Sequence, residues 1–370
     1  MIIGVPREIK NQEYRVGLTP NQVQSLVMQG HQVNVEFNAG IGIGVTDHDY
    51  QICGAQILST PDIFKKSEMV VKVKEPQHNE IAMLSPGQIL FTYLHLAPDV
   101  EQTNLLITSG VTAIAYETVK SGNGGLPLLK PMSEVAGRLS IQAGAYHLEK
   151  THGGSGTLLS GIPGVKATQV LILGAGIVGT NAMQMAIGMG ARVTIVDKNI
   201  DRLREIDQIY GNRIQTLFAD EGTLAKLFQE ADLVIGAVLI PGGSAPKLLR
   251  HEHLKSMKPG SVVVDVAIDQ GGCFETSQPT SHDQPCFEVD GVIHYCVANM
   301  PGAVPKTSTF GLTNATFPYI EMLANAGFEK AVKDNMALRE GVSIYEHYLT
   351  CPAVSHSQKR PYKDIRSFLK

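Results

Sequence analysis

The segment Gly174-Ala175-Gly176-Ile177-Val178-Gly179 has the spacing of a phosphate-binding turn. Each glycine has its own task there. Gly174 permits a tight turn, Gly176 lets the backbone approach a pyrophosphate, and Gly179 lets a helix pack closely on a strand. Before the turn, Val170 to Leu173 is a continuous apolar run, as a strand buried on both faces must be. After it, Thr180 to Met189 reads as a helix of small and apolar residues, whose N-terminal N–H groups and partial positive charge suit phosphates. Asp197 closes the next strand, 18 residues past Gly179, where a carboxylate accepts from both ribose hydroxyls and repels a 2′-phosphate. These residues offer dinucleotide binding, with NAD favoured over NADP. Arg202, five residues further on, is placed on the adenine side or toward solvent.

Four polar residues could act on a substrate. Catalytic groups of open α/β folds gather at the carboxyl ends of strands. By that rule Arg15 lies in the loop after the first strand, Lys74 ends Val70–Val73, and His95 ends Ile89–Leu94. Asp269 is read as ending the strand Val262–Val266 and is expected to face the nicotinamide. An arginine and a lysine together clamp a carboxylate, one by its planar fork and the other as a point charge. A histidine suits proton transfer near neutral pH, and an aspartate beside the nicotinamide could activate water or handle an amine proton. Plainer readings compete: Arg15 as a surface arginine, Lys72 in place of Lys74, His95 as a core histidine, and Asp269 as a cap on Gly271-Gly272. Residue types and positions alone leave the substrate open beyond a small carboxylate.

The elements that must position these groups alternate. Strand-like runs at Ile2–Val5, Val33–Phe37, Met69–Val73, Ile89–Leu94 and Val111–Ala115 are separated by helix-like stretches. One of these starts at Thr19-Pro20, a cap followed by proline at the first helical position, and stops at Gly30. Such alternation predicts parallel strands with crossover helices. A glycine-rich break at 121–125 precedes a helix over Ser133 to Lys150, read as a connector between domains. Alternation then restarts with Val170–Leu173, Arg192–Val196, Ile214–Phe218, Leu233–Val238, Val262–Val266 and His294–Val297, six strands that make one dinucleotide-binding sheet. From about Lys306 the chain reads as helical to its end, with Asn314–Ala326 and Glu329–His347 the clearer pieces and no strand of its own. The predicted fold is α/β, with two doubly wound Rossmann-like domains joined by long connecting helices. The first is discontinuous (1–130 plus 307–370) and the second spans 131–306.

Composition removes several function classes. Of 370 residues 43% are apolar and 18% charged, and 31 Lys and Arg against 35 Asp and Glu leave a net charge of −4. Without a basic excess or run, a nucleic-acid partner is not expected. No apolar stretch reaches the roughly 18–20 residues of a membrane helix, and the start of the chain lacks the pattern of a signal peptide. A soluble, cytoplasmic protein is the expectation. The five cysteines form no CxxC pair, which fits reduced thiols rather than a disulfide framework or zinc site.

Several blocks then recur in a familiar order: GVPREIKNQEYRVGLTP, VKVKEP around Lys74, GQILFTYLHLA around His95, AYET, PMSEVAGRLS, GAGIVG, DLVIGAVLIPG, AIDQGGCFE and VANMPGAVPKTSTFGLTNAT. Over nearly its whole length the chain resembles the alanine dehydrogenases. That resemblance implies reversible oxidative deamination of L-alanine to pyruvate and ammonia with NAD, in a hexamer whose two domains close over a cleft. It puts the carboxylate ligands on Arg15 and Lys74 and the catalytic pair on His95 and Asp269. It puts further cofactor contacts on Ser133, Ile177, Val178, Asp197, Val238 and Leu239. Others fall on Val266, Ala267, Ile268 and Asp269, and on Val297, Ala298, Asn299 and Met300. Where some relatives carry a Glu and a His as metal ligands this chain has Met322 and Ala326, so no metal is expected there, and a cofactor serine of another relative is Ala219. The alternative is the NAD-binding component of a proton-translocating transhydrogenase, which shares the architecture. A third reading is a non-enzymatic NAD-binding module.

Overall fold

Short runs of branched aliphatic residues, too uniformly apolar for an amphipathic helix, form the strands. The computed structural model describes residues 1–122, 124–238 and 245–369. Its first six strands are β1 Ile2–Val5, β2 Gln32–Glu36, β3 Gln56–Leu58, β4 Met69–Val71, β5 Ile89–Thr92 and β6 Thr112–Ala115. They pair parallel in the order β3-β2-β1-β4-β5-β6, with Ile3 opposite Val33 on one side and Met69 on the other. Order reverses at β1, as in a doubly wound sheet. Every residue of β4, β5 and β6 is buried, so both faces are covered. The helix Pro20–Met28 begins as its sequence predicts, with the Thr19 N–H donating to Gln22 Oε1 at 2.9 Å and proline in its first turn.

The connector helix runs over Lys130–His147, starting and stopping three residues earlier than expected. Beyond it come β7 Gln169–Leu173, β8 Arg192–Asp197, β9 Gln215–Phe218, β10 Leu233–Gly236, β11 Val262–Asp265, β12 Cys286–Val289 and β13 Val292–Tyr295. The parallel order is β9-β8-β7-β10-β11-β13, and the unexpected β12 adds an antiparallel edge to β13. Leu171, Leu173, Val196, Phe228, Val234, Val263 and Phe274 form part of the core on one face of this sheet.

The C-terminal segment differs from its expected all-helical form. Helices Pro305–Ala326, Phe328–Asp334 and Met336–Gly341 are followed by β14 Val342–Tyr345 and β15 Tyr348–Leu349. β14 pairs antiparallel with β6, so the first sheet has eight strands. The helix formers of 336–341 run directly into Val342-Ser343-Ile344, which hides the change of period. Glu346 and His347, at φ 45° and 64°, turn the hairpin.

The chain divides into two units, Met1–Met132 with Val304–Lys370, and Ser133–Ala303. No helix among the described residues is long and apolar enough to cross a membrane. All five cysteines are free thiols. Burial pushes Cys286 up to about 12 and Cys296 up to about 11, which makes both poor nucleophiles.

Candidate functional site

In the second unit the glycine turn follows β7 directly. Gly174 has φ +98°, a conformation that L side chains resist. A β-carbon on Gly179 would lie 1.8 Å from the Gly174 carbonyl oxygen, so the helix Ile177–Gly188 reaches the turn only because residue 179 has no side chain. Gly176 is the opposite case. A β-carbon there would meet nothing within 4 Å, and both Gly176 and Ile177 face solvent while Val178 is half-buried. An open surface over a 12-residue helix N-terminus fits a pyrophosphate.

Asp197 ends β8 and turns its carboxylate toward this turn. Ala175 N–H donates to Oδ2 at 2.7 Å and Asn199 N–H to Oδ1 at 2.8 Å. A carboxylate has about four acceptor positions, so two backbone donors leave capacity for ribose hydroxyls. Arg202 turns its guanidinium to the glycine turn itself. It donates from Nε to the Ala175 carbonyl and from Nη2 to Thr180 Oγ1, both at 2.9 Å, and from Nη1 to Glu205 at 2.6 Å. Its guanidinium therefore braces the glycine turn.

The other cofactor candidates cluster because parallel strands share one carboxyl edge. Half-buried Val238 follows β10, and Leu239 lies outside the described residues. Half-buried Val266 and buried Ala267 and Ile268 follow β11, with exposed Asp269 in the 3-10 turn Ile268–Gln270 rather than at the strand's last residue. Val297, Ala298, Asn299 and Met300 follow β13, Asn299 at φ +61°. Half-buried Ser133 is on the connector helix, whose Gly137 sits so close to the Val178 carbonyl that a β-carbon would lie 2.3 Å from its oxygen.

Sequence reasoning passed over Asp265, the last residue of β11. It is fully buried and accepts from the N–H groups of Ala267 at 3.1 Å, Cys273 at 2.9 Å and Phe274 at 3.3 Å, and from Ser277 Oγ at 2.6 Å. Asp265, not Asp269, organises the glycine turn 271–272 and so presents Asp269 outward.

In the first unit the loops after β1, β4, β5 and β6 again share one carboxyl edge. Arg15 is no surface residue: it is 2% exposed, donating from Nε to Glu13 Oε1 at 2.6 Å and from Nη2 to Glu13 Oε2 at 2.5 Å. Burial opposes ionisation of Glu13, but the Arg15 hydrogen bonds and charge prevail and hold its carboxyl below the usual range. The third nitrogen, Nη1, donates to the Met132 thioether at 3.1 Å.

The choice between Lys72 and Lys74 is decided by burial. Lys72 is fully buried, with its ammonium 3.2 Å from Glu8 and 2.8 Å from Glu80. Burial penalises its charge, and the two carboxylates more than offset that and hold its pKa up. Lys74 stands three residues past β4 and is half-buried. Burial, and after it the positive charge of Arg15, pulls the Lys74 pKa down. Arg15 keeps its charge through Glu13, so the cation held at a disadvantage is Lys74, which an incoming anion would favour. Glu8 fixes the loop itself, accepting from Val73 N–H at 2.6 Å and Lys74 N–H at 3.4 Å.

His95 lies three residues beyond β5, exposed, with φ +50°. Its ring stacks on Tyr93, centroids 5.8 Å apart and planes at 15°. The supporting carboxylates Glu8, Glu13 and Glu117 were not singled out from sequence. The signal available was that Glu8 and Glu13 fall in the first quoted block and Glu117 in AYET.

Two doubly wound sheets and a glycine turn braced by Asp197 and Arg202 define a dinucleotide-dependent oxidoreductase of the α/β kind. The chain belongs to the Alanine dehydrogenase/PNT family: the N-terminal domain of that description matches residues 4–136 and the C-terminal domain residues 140–352. It is 55% identical to an alanine dehydrogenase of Bacillus subtilis (strain 168), over 96% of this chain and 94% of that one. A solved structure titled L-alanine dehydrogenase superposes with a TM-score of 0.95 at 52% identity, covering 97% of this chain and 99% of the other. A transhydrogenase structure from Sinorhizobium meliloti, 24% identical, superposes with a TM-score of 0.83 over 95% of this chain and 100% of its own, a likeness of fold alone.

Proposed function

We propose that the chain catalyses the reversible, NAD-dependent oxidative deamination of L-alanine to pyruvate and ammonia. The observation that carries this reading is the buried Arg15 with half-buried Lys74 beside it, two cations at one sheet edge that suit a small carboxylate, in a chain of this family. Hydride transfer between two nucleotides gives no reason for such a pair, and the transhydrogenase reading has the fold alone behind it.

In this reading the first unit holds the amino acid and corresponds to residues 1–130 plus 307–370. The second, residues 131–306, holds NAD. Arg15 and Lys74 bind the carboxylate. The thioether at Arg15 Nη1 is a weak acceptor, so an ionised carboxylate displaces it readily. The glycine turn and Asp197, with the segments at Ser133, Val238, Val266–Asp269 and Val297–Met300, hold the dinucleotide. NAD, when bound, would supply the acceptor for the hydride that leaves Cα of alanine once its amine is deprotonated. His95 or Asp269 then takes a proton from the water that adds to the resulting iminium carbon. The same group gives that proton to nitrogen and takes the hydroxyl proton as the C–N bond breaks, so the carbinolamine separates into pyruvate and ammonia. The charges that develop are met by groups already in place, which is how such a site lowers a barrier.

The whole-chain similarity to the family also supports a cytoplasmic homohexamer, which light scattering tests as six chain masses. The activity is tested by NADH formation on adding L-alanine at alkaline pH, with glycine, serine and lysine as controls. NADH formation with L-alanine above all controls supports the assignment. Hydride exchange only between two nucleotides would select the transhydrogenase reading, and no turnover at all the binding module.

A further inference from the structure

The turn that carries His95 is held in a costly conformation by one side chain. A residue with a β-carbon at φ +50° needs its surroundings to hold it there. The His95 N–H donates to Glu117 Oε1 at 2.6 Å, and the Leu94 N–H donates to the two oxygens of the same carboxylate at 3.1 and 3.2 Å. On the other side of the peptide, the Gln102 amide donates to the Leu94 carbonyl at 2.7 Å. Glu117 is delivered by the 3-10 turn Tyr116–Thr118, which follows β6 directly. β6 is the parallel neighbour of β5, with Ala115 opposite Thr92. The carboxylate therefore ties the ends of two adjacent strands together at the point where the histidine leaves the sheet.

The ring is guided as well as the backbone. Tyr93, on which the imidazole stacks, is fixed by its own hydroxyl donating to the Leu128 carbonyl at 2.6 Å and by an edge contact with Tyr116, centroids 5.1 Å apart. Tyr116 and Glu117 are consecutive, so one short turn supplies both the brace under Tyr93 and the tether on residues 94–95.

We propose that Glu117 is the positioning residue for His95: by accepting both backbone N–H groups it holds the strained turn that aims the imidazole, and it acts through that geometry rather than through its charge. This rests on the reading of His95 as a proton-transfer group. Glu117 has no contact with the ring among these hydrogen bonds, so its contribution to turnover must pass through the placement of His95.

Three variants separate geometry from charge. Glu117→Gln keeps an acceptor oxygen at the same reach and loses the charge. Glu117→Asp keeps the charge and withdraws it by about 1.5 Å, one carbon–carbon bond. Glu117→Ala loses both. With L-alanine and NAD as substrates, Glu117→Gln should keep kcat within about 3-fold. Glu117→Asp and Glu117→Ala should lose on the order of 10-fold or more, as a misplacement of about 1 Å does, with the KM for NAD unchanged. The decisive step is to repeat the Asp and Ala changes in a His95→Ala background, where the loss should vanish because its target is gone. Should Glu117→Ala fail to fold, the Asp and Gln variants, checked by melting temperature, carry the comparison. An equal loss with and without His95 would show a merely structural role and overturn the proposal. So would a crippled Gln variant beside a normal Asp variant. Normal turnover in His95→Ala alone would instead overturn the assignment of His95, and this role with it.

Discussion

Replacing Gly176 or Gly179 by alanine adds the same methyl group three residues apart in one turn, yet the two changes should fail in different ways. At Gly176 the backbone is extended (φ −71°, ψ −164°) and the new β-carbon meets nothing within 4 Å. Stability without cofactor should therefore stay within about 0.5 kcal/mol of the parent, as for an unobstructed surface position. Any change within that range should be a gain, from the lost flexibility of the unfolded chain. The methyl does occupy the surface over the helix N-terminus, where the pyrophosphate must come close. NAD affinity should fall at least about 10-fold, roughly 1.4 kcal/mol. At Gly179 the β-carbon would lie 1.8 Å from the Gly174 carbonyl oxygen. The helix must then retreat by roughly 1.5 Å to restore an ordinary contact. Overpacking of this kind costs about 1–3 kcal/mol. That corresponds to a melting temperature lower by several degrees at roughly 2–4 °C per kcal/mol for a unit of this size. Thermal melts without NAD and titration with NADH by fluorescence read the two effects separately. A destabilised Gly176→Ala protein, or one that binds NADH like the parent, would refute the assignment of the open surface to the pyrophosphate.

Other expectations can be checked with similar means. Lys72→Met removes the cation between buried Glu8 and Glu80. It should lower stability by about 3–5 kcal/mol, as loss of one member of a buried ion pair does, and an unchanged melting temperature would contradict the triad. Lys74 has its pKa pulled down by burial and by Arg15, so it loses its proton at lower pH than an exposed lysine, and a bound carboxylate needs that proton. Propionate, a carboxylate without an amine, should therefore inhibit best below the pKa of Lys74 and progressively less as pH rises through it. In Lys74→Arg that decline should disappear, and a flat profile in the parent would count against Lys74 as ligand. His95→Ala should leave NADH binding intact, and both His95→Ala and Asp269→Ala should cut turnover on the order of 10²-fold, the scale of general acid–base help; near-normal turnover in both would remove them from the mechanism.

Much of the architecture was legible because parallel strands buried on both faces must be continuous apolar runs, as at Val170–Leu173 and Val262–Val266. The elements that escaped are those where this pressure is weak. β3 is three residues long and only half covered. β12 is an antiparallel edge strand containing an exposed glutamate, and β14 follows a helix without any breaker. Residues meeting ligand could be listed from the strand-end rule and the resemblance, and the spacing of the glycine turn named each glycine's task. What supports them could not. Glu8, Glu117 and Asp265 are single acids whose partners are mostly backbone N–H groups, and a backbone donor leaves no mark on the sequence; Glu13 pairs with the Arg15 side chain. The bracing contact of Arg202 escaped for the same reason, since its partner at the turn is the Ala175 carbonyl.

The most direct test of the account follows the hydrogen on Cα. L-alanine carrying deuterium at Cα should transfer it to the nicotinamide, giving labelled NADH with pyruvate and ammonia in equal amounts and a slower rate if that step limits turnover. NADH that carries only solvent hydrogen, or pyruvate formed without an equivalent of labelled NADH, would contradict direct hydride transfer from alanine.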